Sequence, residues 1–166
     1  MAEPSTVQID IQSSFEMVDL VQVVFESLSS RVGFDADDSH WMSVAIRESV
    51  TNAVRHGNKL DPTKRVVVRF EYEEPDFRVT VKDQGNGFDV GEVPDPLAEE
   101  NVLRASGRGI FFMKNFMDEV SYDFDPSGGT IVRMVKRVSS SESSPDGDGP
   151  DNPDGPDGTS GSTQSD

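Results

Sequence analysis

A chain of 166 residues with 31 acidic and 15 basic side chains carries a net charge of −16, which argues against a groove built to neutralise nucleic-acid phosphates and disfavours an anionic membrane surface. It has no cysteine, which removes disulfides, thiolate metal sites and cysteine nucleophiles together. The start MAEPSTVQIDIQ lacks the basic residues and apolar run of a leader, and no stretch approaches the ~18 continuous apolar residues of a membrane span. The expectation is a cytoplasmic protein with one domain and one core.

In chain order, Val7, Ile9 and Ile11 alternate with Gln8 and Asp10, the pattern of a half-buried strand. Ser13 and Ser14 can cap the helix that follows from Phe15 to Val32, where Met17, Leu20, Val21, Val24, Phe25 and Leu28 recur at three and four and Gly33 ends the run. A second helix starts at Asp37, Asp38 or Ser39 and stops near Gly57, before Asp61-Pro62. Met42, Ile46, Val50, Ala53 and Val54 form its apolar face, while Glu48, Asn52 and His56 follow one another at i, i+4 and i+8 as a separate polar stripe, drifting about 40° per step. Most such stripes are simply the solvated side of a helix. Asn52 is nevertheless a poor helix former placed in mid-helix, and the pattern runs into the stop signal His56-Gly57-Asn58. Both readings stand on this segment alone.

A β-hairpin follows, with Val66, Val68, Phe70 and Tyr72 on one face, a turn at Glu74-Pro75-Asp76, then Phe77, Val79 and Val81 in the same phase. Continuing by two places Asp83 on the buried face, where a lone carboxylate is costly unless hydrogen bonds reach it; alternatively the strand ends first and Asp83 is a turn residue. Gly85 and Gly87, flanking Asn86 and followed by Phe88, suit a tight turn or a close backbone approach to a ligand. Residues 90 to 106, with Pro94, Pro96 and four acids, read as a loop holding at most a turn of helix around Leu97 to Leu103. Gly107-Arg108-Gly109 leads into the apolar helix IFFMKNFM, a weak but recognisable phosphate-binding arrangement of bare N–H groups. Val120, Tyr122 and Phe124 form a strand, Asp125-Pro126-Ser127-Gly128-Gly129 reverses it, and Thr130, Val132 and Met134 face inward on the last strand, in phase with Asp83. From 138 to 166 the chain is Ser, Asp, Gly and Pro without Lys or Arg, a composition that cannot bury enough to fold. Asp146, Asp148 and Asp151 lack the flanking helices and distal glutamate of a calcium loop.

Taken together, Glu48-xxx-Asn52-Ala53-xx-His56-Gly57, Asp83-x-Gly85-x-Gly87-Phe88, Gly107-x-Gly109 and Gly129-Thr130 form four boxes in a defined order. Over residues 7 to 137 this resembles the GHKL (Bergerat) ATP-binding fold, and within it the stand-alone anti-sigma-factor serine/threonine kinases of bacterial partner-switching systems. The resemblance implies an α+β, two-layer sandwich, a mixed but mostly antiparallel sheet covered by helices on one face. Residues 1–137 would form the ATP-binding kinase domain and residues 138–166 a disordered acidic tail.

The same resemblance implies ATP and Mg2+ as cofactors. Asn52 would hold the magnesium, Asp83 would take the adenine amino group with Thr130 in support, and Glu48 would be the catalytic base. His56, Gly85, Gly87, Phe88, Gly107, Arg108 and Gly109 would complete the nucleotide site, residues 90 to 106 would be its lid, and Arg104 in the lid with Arg108 just past it would be the only cations there. Its implied partners are a sigma factor, a small serine-bearing anti-anti-sigma factor and a second copy of the chain in a homodimer, with no nucleic acid and no membrane. With no room before residue 7 for a histidine-bearing dimerisation domain and no transducer domain after 137, the histidine kinase, gyrase, chaperone and mismatch-repair branches are disfavoured. The alternative to a kinase is a non-catalytic module that binds ATP and sequesters a partner.

Overall fold

The computed structural model describes residues 5–86 and 113–138. Strand β1 (Ser5–Gln12) leads into helix α1 (Phe15–Val32) and helix α2 (Ala36–Asn52), which continues as a π-helical turn over Ala53–Gly57. Strands β2 (Arg65–Glu73), β3 (Asp76–Lys82), β4 (Glu119–Phe124) and β5 (Thr130–Arg137) complete the order. They form one sheet in the order β1-β2-β3-β5-β4. Every pairing is antiparallel, so among the described residues the expected mixed sheet has no parallel pair.

The two helices cover one face of this sheet because the strands offer one apolar face. Ile11, Val66, Val68, Phe70, Phe77, Val79, Val81 and Met134 join Val18, Val21, Phe25, Met42, Ile46, Val50 and Val54 in a single buried cluster. The opposite face is polar and carries ion pairs, Arg65 with Asp10 across β1 and β2 and Arg69 with Glu71 along β2. All five residues read as the apolar face of the second helix are buried, Ala53 being the most accessible at 6%.

Local signals on α1 and α2 were partly misplaced. Leu20, grouped with the core, is 48% exposed, whereas Val18, outside the group, is buried. The buried stripe is Val18, Val21, Phe25 and Ser29, and Leu20 lies about 100° round from Val21. Ser14 occupies the N-cap of α1 without making a side-chain bond there. Helix α2 begins earlier than expected, because Asp35 caps it and its carboxylate accepts the Asp38 N–H at 2.7 Å. No described helix is long and apolar enough to cross a membrane.

Phe77 is the centre of the aromatic core. Its ring lies 5.5 Å from Phe34, 6.1 Å from Phe25 and 6.2 Å from Phe70, and the first two contacts are edge-on. Phe77→Ala is expected to lower the unfolding free energy by about 3–5 kcal/mol, measured as a shift of the urea midpoint at unchanged slope. A loss under about 1 kcal/mol would mean that the core re-collapses around the site.

Candidate functional site

Helix α2 presents Glu48 and Asn52 one turn apart, both half-buried. Beyond Asn52 the helix widens. Asn58 donates its N–H to the carbonyl of Ala53 at 2.8 Å, a five-residue span in place of four, and such π-turns recur at functional sites. The α-helical count that joined His56 to the stripe therefore stops at Asn52, and His56 is exposed.

The wider turn brings Gly57 against Asp83. The register of β3 keeps Asp83 in phase with Phe77, Val79 and Val81, and the carboxylate is 4% exposed. It is not a turn residue in solvent. Its Oδ1 accepts the N–H of Gly85 at 2.9 Å and the N–H of Thr130 at 3.0 Å, while its own N–H donates to the Thr130 carbonyl at 3.1 Å. Thr130 thus supports Asp83 through the main chain.

Glycines surround this carboxylate because nothing larger fits. A Cβ at Gly57 would stand 2.2 Å from Asp83 Oδ2, one at Gly85 would stand 2.3 Å from the Gly57 carbonyl oxygen, and one at Gly129 would stand 2.1 Å from the Asp83 carbonyl oxygen. Gly129 also needs its φ of +106°, which side chains avoid.

The structure therefore brings Gly57, Asp83, Gly85 and Thr130 together, with Glu48 and Asn52 on the last turns of α2, the helix that runs on into Gly57. Gly87, Phe88, Arg104, Gly107, Arg108 and Gly109 lie outside the described residues. Sequence reasoning missed two participants. Asn58, read only as part of a helix stop, is fully buried. Its side chain donates to the Arg65 carbonyl at 2.9 Å and accepts the Gln84 N–H at 2.7 Å. Gln84 in turn accepts the Arg65 N–H at 2.7 Å. These bonds join residues 7, 26 and 19 positions apart, so no helical or strand period announces them.

The β4–β5 turn that delivers Gly129 and Thr130 is held by Asp125. Its carboxylate is salt-bridged to Lys82 and accepts the Ser127 N–H at 2.8 Å. The Lys82 ammonium first, then the Ser127 hydroxyl and N–H, hold it well below its ordinary value of 3.8.

This geometry coincides with relationships to known proteins. A family model for the histidine kinase-like ATPase domain matches residues 11–136. The chain belongs to this family, and within it to the serine-protein kinases. A serine-protein kinase RsbW of Bacillus licheniformis is 33% identical over 127 residues, covering 73% of this chain and 78% of that protein. One from Staphylococcus aureus is 28% identical over 143 residues, covering 82% and 89%. The crystal structure of the RsbU and RsbW domains of a Mycobacterium tuberculosis protein superposes with a TM-score of 0.59 at 20% identity. That match covers 80% of this chain and only 32% of the other, and it supports the fold alone. The α+β architecture and the use of ATP follow from this membership.

Two outcomes are expected from the packing. Gly57→Ala forces its methyl into the Asp83 carboxylate and should cost about 1–3 kcal/mol of stability while weakening nucleotide binding, read by urea unfolding and by ATP calorimetry. Asp125, with its depressed folded-state value, contributes stability that is present above the unfolded 3.8 and is lost as pH falls through the folded value. Asp125→Asn should therefore flatten the fall in melting temperature below pH 4, a comparison that a scan of both proteins from pH 6 to pH 2 settles.

Proposed function

We propose that the chain is an ATP- and Mg2+-dependent serine/threonine protein kinase that acts as an anti-sigma factor in the cytoplasm. It phosphorylates a small anti-anti-sigma partner and sequesters a sigma factor, working as a homodimer. The observation that carries the nucleotide part of this reading is Asp83. Among the described residues, both hydrogen bonds to its carboxylate fall on Oδ1, so the group is oriented by the backbone and retains acceptor capacity suited to the amino donor of adenine. Guanine offers a carbonyl at that position, acceptor against acceptor, and would leave buried polar groups unpaired.

The donor set also fits magnesium on phosphates. Among the described residues no three His, Asp or Glu side chains converge. Magnesium at phosphate sites takes few protein oxygens, its remaining ligands being water and the phosphates themselves, and the Asn52 amide oxygen would be such a ligand. When bound, the ion would neutralise charge on the phosphates. Glu48, one helical turn before Asn52, would take the proton of the partner's serine or threonine hydroxyl as its oxygen bonds to the γ-phosphorus and ADP leaves. The glycine pair Gly107 and Gly109, with Arg108, would serve the phosphates, and Gly87, Phe88 and His56 would complete the pocket.

The test is phosphotransfer from labelled ATP to each small serine-bearing antagonist domain of the same organism, beside equilibrium nucleotide binding. The parent should bind ATP in preference to GTP and label one such partner. Glu48→Ala should keep ATP binding yet lose transfer by about 10²-fold or more. Asn52→Ala should lose the magnesium-dependent part of binding itself. Transfer at the parental rate by Glu48→Ala refutes the base assignment. A parent that binds ATP but labels no partner replaces the kinase with a nucleotide-controlled sequestering module.

A further inference from the structure

The end of the π-turn, the start of β2 and the loop past β3 meet at Asn58. The Asn58 side chain donates to the Arg65 carbonyl at the start of β2 and accepts the Gln84 N–H just past β3; the Gln84 side chain then returns to the Arg65 N–H. The three bonds close a ring, and each is 2.9 Å or shorter. On its backbone Asn58 donates to Ala53 at 2.8 Å and accepts from Asp61 at 3.1 Å, so it is tied to the π-turn as firmly as to the strands. It is 0% exposed, and a buried ring of this kind leaves several polar groups unpaired if one member is removed.

Its place next to the site gives the ring a consequence. The residue before Asn58 is Gly57 and the residue before Gln84 is Asp83, and those two are the pair packed so closely that a Cβ on Gly57 would sit 2.2 Å from the carboxylate. The Asn58–Gln84 bond and the Gly57–Asp83 contact are therefore neighbouring rungs between the same two segments. Asn52 lies on the helix that runs directly into one segment, and Asp83 lies on the other. The ring thus holds constant the span from Asn52, assigned to the metal and phosphates, to Asp83, assigned to adenine.

We propose that Asn58 is a positioning residue for nucleotide selection: it touches no part of the nucleotide, but holds Asp83 in register with the Asn52 end of α2. This rests on the reading of Asp83 as the adenine contact. Asn58→Ala opens the ring. Asn58→Asp, nearly isosteric, keeps an acceptor for the Gln84 N–H but sets an oxygen against the Arg65 carbonyl. Val24→Ala serves as control, since Val24 is partly buried against the core on α1 and away from the ring.

The experiment is calorimetric titration of each full-length protein with Mg-ATP and with Mg-GTP, at a temperature where melting curves show all of them folded. Asn58→Ala should weaken ATP binding about tenfold or more and shrink the preference for ATP over GTP by a similar factor, with Asn58→Asp between it and the parent. Val24→Ala should move neither quantity. Parental affinity and preference in folded Asn58→Ala would overturn the proposal, as would an equal loss for both nucleotides, which would report general loosening. If Asn58→Ala does not fold, Asn58→Asp carries the test, and failure of both to fold overturns the proposal by making Asn58 a folding determinant only. A parent that does not discriminate ATP from GTP overturns the Asp83 reading and this one with it. A discriminating parent with undisturbed variants overturns only the positioning role.

Discussion

The constraint on which the rest depends is the closeness of Asp83 to three stretches of backbone. A carboxylate buried at the end of a strand survives only if donors reach it, and here the N–H groups of Gly85 and Thr130 supply them. Those N–H groups arrive because Gly57, Gly85 and Gly129 have no side chains, each proposed Cβ falling within 2.3 Å of a neighbouring atom. The glycines belong to the π-turn, the loop after β3 and the hairpin before β5. One buried group therefore fixes how helix, loop and hairpin meet, and the same group orients the site.

The π-turn is part of this economy. An α-helix that ran on through Ala53–Gly57 would carry its last turn along its own axis. The wider turn lets the Asn58 N–H reach Ala53 and the Leu60 N–H reach Val54 at 2.9 Å. The chain then passes through Lys59 and Leu60 at φ of +54° and +59°. Two consecutive side-chain-bearing residues in the left-handed region are costly, about 1–3 kcal/mol each. The buried bonds of Asn58 at this corner offset that strain, and the result is Gly57 laid flat against Asp83.

Charge plays a different part. The chain is strongly acidic overall, yet the open face of the sheet is a lattice of opposite charges. Arg78 meets Glu73 and Asp76, Arg137 meets Asp76 and Glu119, and Arg133 meets Asp123. Most of these side chains are substantially exposed, so solvent screening leaves each pair little net contribution to stability. Their effect is to keep a half-covered antiparallel sheet wet on one side, in keeping with a core that lies wholly on the other. Tyr122 marks the covered side near the β4 edge, where burial pushes its hydroxyl up to about 12.

Periodicity alone determined much of this protein. The alternation of Phe77, Val79 and Val81 put Asp83 on the inner face, the spacing of Met42, Ile46 and Val50 set the buried side of α2, and Thr130 fell in phase with Asp83. Side-chain direction follows from local backbone geometry, so these required no knowledge of neighbours. The one turn between Glu48 and Asn52 was legible for the same reason. Tertiary structure decided what depends on distant partners. Leu20 proved exposed and Val18 buried because the sheet lies slightly to one side of the stripe that spacing suggests. Gly57 had looked like a helix stop and is a bearing surface for a carboxylate. Asn58 and Gln84 had no local signature, since their partners stand 7 and 26 residues away and meet only when the strands pair. A hydrogen bond between remote segments leaves no period in the chain that makes it.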